Sequence, residues 1–261
     1  MSRLGPSTDY AAARRRAILA QVRAAIASRQ HDPAALMTLD DVVAALGFTS
    51  VSGSRRTEVP AEAIIGTMAR RDEFDREFRP RTTRVRDRWL RVAGAVEAGE
   101  VLPPVELTRV GDMYFVRDGH HRVAVAKALG HPVVDAHVRR LCTVAFGMLC
   151  LQLKHLPSKA AERLFLERVP LPDDVRTKLW LDDPADWMRL ADSAEAWGFR
   201  SGMTAATERE RRVFAEAWWT GEVLPSLAAH PDVQCQYEVQ RYVTLLHRRQ
   251  RTPARPSNPA R

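Results

Sequence analysis

Three cysteines in 261 residues is a low count, and Cys142, Cys150 and Cys235 form no CxxC pair. An odd set of isolated thiols supports neither a disulfide framework nor a zinc site, so reduced thiols in a cytoplasmic protein are expected. Long apolar runs are missing as well. The longest, "LCTVAFGMLCLQL" at 141 to 153, falls short of the roughly 20 residues a bilayer-spanning helix needs, so it reads as a buried segment and no membrane partner is expected. The N-terminus lacks an apolar stretch followed by a small-residue cleavage site, which argues against export, and no internal repeat is evident. Lysine is scarce too, supplying only four of the 40 basic residues.

What is present is arginine. Against 32 acidic residues the chain carries a formal charge of +8 and a pI near 10.0, mostly through a side chain suited to forked contact with phosphate. An anionic partner follows, although charge alone does not separate nucleotide, nucleic acid and acidic protein. The 45% of hydrophobic residues is enough for a packed core.

Along the chain, "YAAARRRAILAQVRAAIASR" (10 to 29) predicts a helix with Ile18, Val22 and Ile26 on one face and arginines on others. "TLDDVVAALG" predicts a short helix capped by Thr38 and closed by Gly47, and with the residues that follow it resembles half of a helix-turn-helix, though the Ser- and Gly-rich continuation gives no recognition helix. From residue 58 strand and helix signals alternate: a first strand in "EVPAEAIIG" (58 to 66), a helix over 83 to 99 with Val85, Trp89, Val92 and Val96 on one face, strands at 101 to 110 and 113 to 118 joined by Gly111-Asp112, a helix opening at Gly119 and closing at Gly130, and a strand at 132 to 138. Residues 141 to 250 read as almost wholly helical, with Trp180, Trp187, Trp197, Trp218 and Trp219 as packing residues and Val213, Phe214 and Ala217 on the buried side of 207 to 219. The polar, proline-rich 251 to 261 reads as a disordered tail. The fold expected is α+β, a small mixed sheet with helices followed by a mainly helical C-terminal region. Its divisions are a helical segment 1 to 56, a core domain 57 to 140, a helical domain 141 to 250 and the tail.

The stretch "FVRDGHHRVAVAKALG" (115 to 130) crowds Gly119, His120, His121 and Arg122 into the first turn of a helix, directly after Asp118. Three basic side chains at the positive end of a helix are unfavourable unless an anion offsets them. Free first-turn amides, a glycine that admits an oxygen to the backbone and a guanidinium that forks onto two oxygens together make a phosphate cradle. The plainer alternative is an Asp118 cap followed by a solvated turn. A metal site is not expected, because adjacent helical side chains point about 100° apart and the two imidazoles would not share one ion.

The order of strands and helix in "LPPVELTRVGDMYFVRDGHHRVAVAKALGHPVVDAHV" resembles the ParB/sulfiredoxin-like superfamily over roughly residues 57 to 140. The resemblance implies that Gly119, His120, His121 and Arg122 hold the phosphates of a nucleoside triphosphate, CTP or ATP, with Mg²⁺ accompanying it. It also argues against a sulfiredoxin, since His120 stands where that family needs its cysteine. The turn is similar to the Asp-Gly-His-Thr-Arg of the free serine kinases, matching at Asp118, Gly119, His120 and Arg122. On that resemblance Asp118 would hold Mg²⁺ or orient an acceptor hydroxyl, and Glu106 is the nearest candidate for a general base, a solvent-facing strand glutamate being its plain alternative. A second basic cluster, "ARRDEFDREFRPR" (69 to 81), lies where partition proteins carry another nucleotide box. Its Asn-Pro element is absent, leaving Arg79 and Arg81 either as additional anion contacts or as part of a solvated loop. The leading expectation is therefore a nucleotide-binding protein, with NTP hydrolysis or phosphoryl transfer open. The alternatives are a partition-like protein that binds the DNA backbone through its Arg-rich surface, with a homodimer left open, and a silent interaction module.

Overall fold

The structure is a computed structural model that describes residues 6–27, 35–203 and 205–251. It divides into two compact units, Met1–Leu156 and Pro157–Arg261. The first contains α1 (Pro6–Ala27), β1 (Met37–Thr38), α2 (Leu39–Leu46), β2 (Phe48–Pro60), β3 (Ile64–Thr67), α3 (Arg86–Glu97), β4 (Val105–Val110), β5 (Met113–Asp118), α4 (His120–Ala128) and β6 (Val133–Thr143). The strands form one six-stranded mixed sheet in the order β1-β3-β5-β4-β6-β2. β4 pairs antiparallel with β5 and parallel with β6, while β3 lies parallel to both β1 and β5. The α+β class and the helical region that follows are as expected.

Local chemistry accounts for the turns. Gly111 opens the β4–β5 link at φ +60°, and a Cβ there would lie 2.1 Å from the Gly147 carbonyl oxygen, so only glycine fits. α4 ends in a paired motif: Gly130 donates its amide to Lys127 O and His131 donates to Ala126 O, with Gly130 at φ +73°. Thr38 caps α2 by accepting from the Asp41 amide at 3.2 Å. One face of the sheet, through Val59, Val105, Leu107, Val116, Val134 and Ala136, shares a core with Trp89 of α3 and Val123 of α4. Each of the buried valine and leucine side chains contributes about 1.5–3 kcal/mol relative to exposure.

Several expectations are corrected. In α1 the buried stripe is Tyr10, Ala13 and Ala17, whereas Ile18 and Val22 are exposed, and the side chain of Ile26 lies outside the described ones. The small stripe lets α1 pack closely, with Tyr10 meeting Trp89 edge-on at 5.5 Å between centroids. The half helix-turn-helix does not exist, because after Gly47 the chain runs into the 13-residue β2, whose Thr and Val content favours extended backbone. "EVPAEAIIG", expected to hold a short first strand with its connections, spans the end of β2, a 3₁₀ turn at Ala61–Ala63 and most of β3. β6 runs on to Thr143, and residues 144 to 152 carry no helix; Ala145 and Leu151 are buried but Leu149 and Cys150 are exposed, so 141 to 153 is only partly a buried segment. Residues 1 to 56 thus contribute β1 and most of β2 to the sheet as well as helix.

The second unit is built from α5 (Leu156–Arg168), α6 (Asp173–Arg176), α7 (Pro184–Arg200), α8 (Glu208–Trp218), α9 (Leu224–Ala229) and α10 (Glu238–Arg251), with a π turn at Trp219–Val223 linking α8 to α9. Trp187, Trp218, Trp219 and Trp180 are buried as packing residues, while Trp197 is half-buried. On α8 the buried face is Phe214, Ala215 and Trp218; Val213, expected inside, is 55% exposed. Residues 252 to 261, the expected disordered tail, lie outside the described residues.

Candidate functional site

β5, an interior strand, ends at Asp118, and Gly119, at φ +96°, turns the chain at once into α4. A side chain at Gly119 would meet Val105 Cγ1 at 2.7 Å and the Arg122 guanidinium at 3.0 Å. The turn is thus both left-handed and crowded. α4 has no side-chain cap, and only the Val123 amide returns to the Gly119 carbonyl. Among the described residues no acceptor is recorded for the amides of His120, His121 and Arg122, as the opening of a helix would lead one to expect.

The three basic side chains do not point outward as a free cluster. His120 and His121 are only 4% and 6% exposed. A 2.7 Å hydrogen bond joins His120 Nε2 and Thr67 Oγ1, and the same hydroxyl accepts from the Ala69 amide. This ties the end of β3 to the start of α4. Phe74 stacks on His120 with ring planes 16° apart and meets His121 edge-on at 5.5 Å. Burial, aided by the positive charge of Arg70 for His120 and of Arg88 for His121, pushes both imidazoles down to about 4 and leaves them neutral. His121 Nδ1 is buried without a partner.

Arg122 turns under the strand end: one terminal nitrogen donates to the carbonyls of Pro103 and Pro104 at 2.5 and 2.8 Å, and the other pairs with Asp118 at 2.7 Å. Asp118 is the exposed member of that pair and Arg122 the covered one. Glu106 faces Asp118 across the β4–β5 register, where Arg117 is an extra residue that bulges the strand, and the Glu106 carboxylate lies 3.2 Å from the Arg117 guanidinium. The structure therefore brings Asp118, Glu106, Gly119 and Arg122 together, each carboxylate already held by an arginine.

The 69 to 81 segment is not a solvated loop. Phe74, Asp75 and Phe78 are buried, and the Asp75 carboxylate accepts from the amides of Glu77 and Arg79 and from Arg79 Nε at 3.0, 2.9 and 2.7 Å. Arg79 is thereby an internal strut of the loop, and Arg81 donates its amide to Glu73 O. Sequence reasoning missed Thr67, Phe74 and Phe78, which wall in the histidines. The "FDREF" spacing, two aromatics four apart around an acid, was the available signal that this segment is anchored. No group of three or more histidine, cysteine or acidic side chains arranged for a metal occurs among the described residues, and no described helix is long and apolar enough to cross a membrane.

No family model matches the chain, and no curated protein matches it. Among solved structures it is similar to the C2221 form of a Pnob8-like ParB-N domain, at 13% sequence identity and a TM-score of 0.24, over 77% of this chain and 82% of that one.

Proposed function

We propose that the first unit binds the phosphates of a nucleoside triphosphate, CTP or ATP, over the amides that open α4, with Mg²⁺ arriving on the nucleotide. The observation that carries this reading is the β5–α4 junction, where a left-handed Gly119 presents three first-turn amides with no recorded acceptor at the positive end of a helix. Arg70 and Arg88 add to the positive field, since both act on His121. Arg88 is exposed and has no ion pair among the described residues, so its guanidinium is free to fork onto phosphate oxygens. In this reading His120, His121 and Arg122 are braces: they fix the junction against Thr67, Phe74 and the Pro103–Pro104 carbonyls. Asp118 and Glu106 are each neutralised by an arginine, so neither would hold Mg²⁺ without the phosphates, and phosphoryl transfer with Glu106 as base draws no support from this geometry.

Calorimetric titration of CTP, ATP, GTP and UTP with Mg²⁺ tests the reading. Arg88→Ala should weaken binding by about 1.5–3 kcal/mol at an unchanged melting temperature. Arg122→Ala should weaken binding and lower the melting temperature together, because it leaves two proline carbonyls and Asp118 without their donor. Absence of binding by every nucleotide, or full binding by Arg88→Ala, would sink it.

A second reading, association with the DNA backbone, is favoured by the β2–β6 ribbon, where Arg55, Arg139 and Arg140 are exposed and without an ion pair among the described residues. β2 is one of the two outer strands of the sheet. Nucleotide-independent binding of duplex DNA that disappears in the Arg55, Arg139 and Arg140 alanine variant would support it.

A further inference from the structure

A cavity of about 620 Å³ opens at the far end of α4, within the range of about 300–1,000 Å³ that small-molecule sites occupy. It is separate from the phosphate reading: Lys127 on its wall is seven residues, about 10 Å of helix, from His120. Ala12 and Ala13 of α1, Ala61 of the 3₁₀ turn, Ala124 and Ala128 of α4 and the Phe78 ring give it an apolar lining of small side chains. Three cations line it from different elements: Lys127, Arg79 and the exposed Arg16 of α1. Lys127 is half-buried, its Nζ 5.3 Å from the centre of the buried Phe78 ring, and it has no ion pair among the described residues. Arg79 gives its Nε to Asp75, while no hydrogen bond is recorded for its terminal nitrogens among the described residues. Three carboxylates also line the cavity: Glu62 and Glu77 are solvent-exposed, and Asp9 of α1 is half-buried.

The half-buried Lys127 ammonium, set against Phe78 without an ion pair among the described residues, selects the ligand. We propose that this cavity binds a compact organic monoanion, whose carboxylate is held by Lys127 and Arg79 and whose apolar body lies against the alanines and Phe78. A half-buried ammonium without a counter-ion is poorly solvated, and a carboxylate that meets it gains a charge-assisted hydrogen bond in a low-dielectric setting. Burial holds the Lys127 amine below its ordinary pKa, against the opposing pull of the Glu77, Asp75 and Glu62 charges. A polyanion such as a triphosphate would bring its further charges against Glu62 and Glu77. A cationic ligand would meet the like charges of Lys127, Arg79 and Arg16 in the same lining.

The test uses the full chain with sodium benzoate and sodium butyrate as probes, followed by ligand-detected NMR and thermal shift, and benzamide as the uncharged counterpart of benzoate. Saturable binding of at least one carboxylate is expected, with benzamide weaker by about tenfold or more and Lys127→Met weaker by a similar factor. Lys127→Arg, which keeps the charge, should retain most of the binding. Failure of both carboxylates to saturate, or equal binding of benzamide, or undiminished binding by a folded Lys127→Met, would overturn the assignment. Should Lys127→Met fail to fold, the benzoate and benzamide comparison on the parent protein still decides.

Discussion

His120 and His121 carry a consequence for stability that follows from their burial. Unfolded, each titrates near 6.5; folded, each is held down to about 4, so the folded state refuses a proton that the unfolded state accepts. Their stabilising contribution is therefore complete above about pH 6.5 and is lost as pH falls towards 4, by at most about 3 kcal/mol per histidine. Urea titrations between pH 7 and 4 should show that decline, and the His121→Phe variant, which keeps an aromatic ring against Phe74 without a titrating nitrogen, should decline less steeply. Gly119→Ala should cost more than about 1 kcal/mol, since it meets both a left-handed φ and the Val105 side chain; chemical denaturation gives the value. In the second unit, Lys159 and Glu162 form an ion pair at 2.7 Å with side chains 3% and 1% exposed. Lys159→Met alone should cost on the order of 3–5 kcal/mol by removing the opposite charge beside a buried carboxylate, and adding Glu162→Leu should recover most of the loss. Unfolding midpoints of the three proteins measure this.

At the scale of elements, caps and turns were legible because they are settled by neighbours in the chain. Thr38, Gly99, Gly111 and Gly130 stand where the sequence puts them, each from the bonding needs of one helix end or one hairpin. α8 shows the same logic: Thr207 accepts from the Glu210 amide at 3.2 Å while Glu210 accepts from the Thr207 amide at 2.9 Å. Thr207→Ala should lower stability by about 0.5–2 kcal/mol, read from the shift of its thermal or urea midpoint. Faces were less legible. Ile18, Val22 and Val213 are apolar and periodic yet exposed, while Ala13, Ala17 and Ala215 are buried. Which stripe of a helix packs depends on how closely its partner approaches, and a small stripe allows the nearer approach. β2 was misjudged for a related reason: a strand at the margin of a sheet, exposed over nearly its whole length, has no hydrophobic alternation to announce it.

For the whole molecule, the excess of arginine and the charge of +8 sustain the expectation of an anionic partner, and the two proposed sites and the ribbon divide it into separable measurements. If the ribbon contacts DNA through Arg55, Arg139 and Arg140, the logarithm of the affinity should fall with the logarithm of salt at a slope of about −3, whereas benzoate binding should show far less dependence on salt. By itself the sequence determined the α+β class, the β4–β5 hairpin, the strand-to-helix junction at Gly119 and the helical character of the C-terminal part, because turn chemistry and periodicity act over a few residues. Only the tertiary structure decided what the side chains at that junction do. Thr67, Phe74, Pro103 and Pro104 are distant in sequence from His120 and Arg122, and the contacts that bury the imidazoles and occupy the guanidinium exist only once β3, the 69 to 81 segment and the chain before β4 are folded around α4.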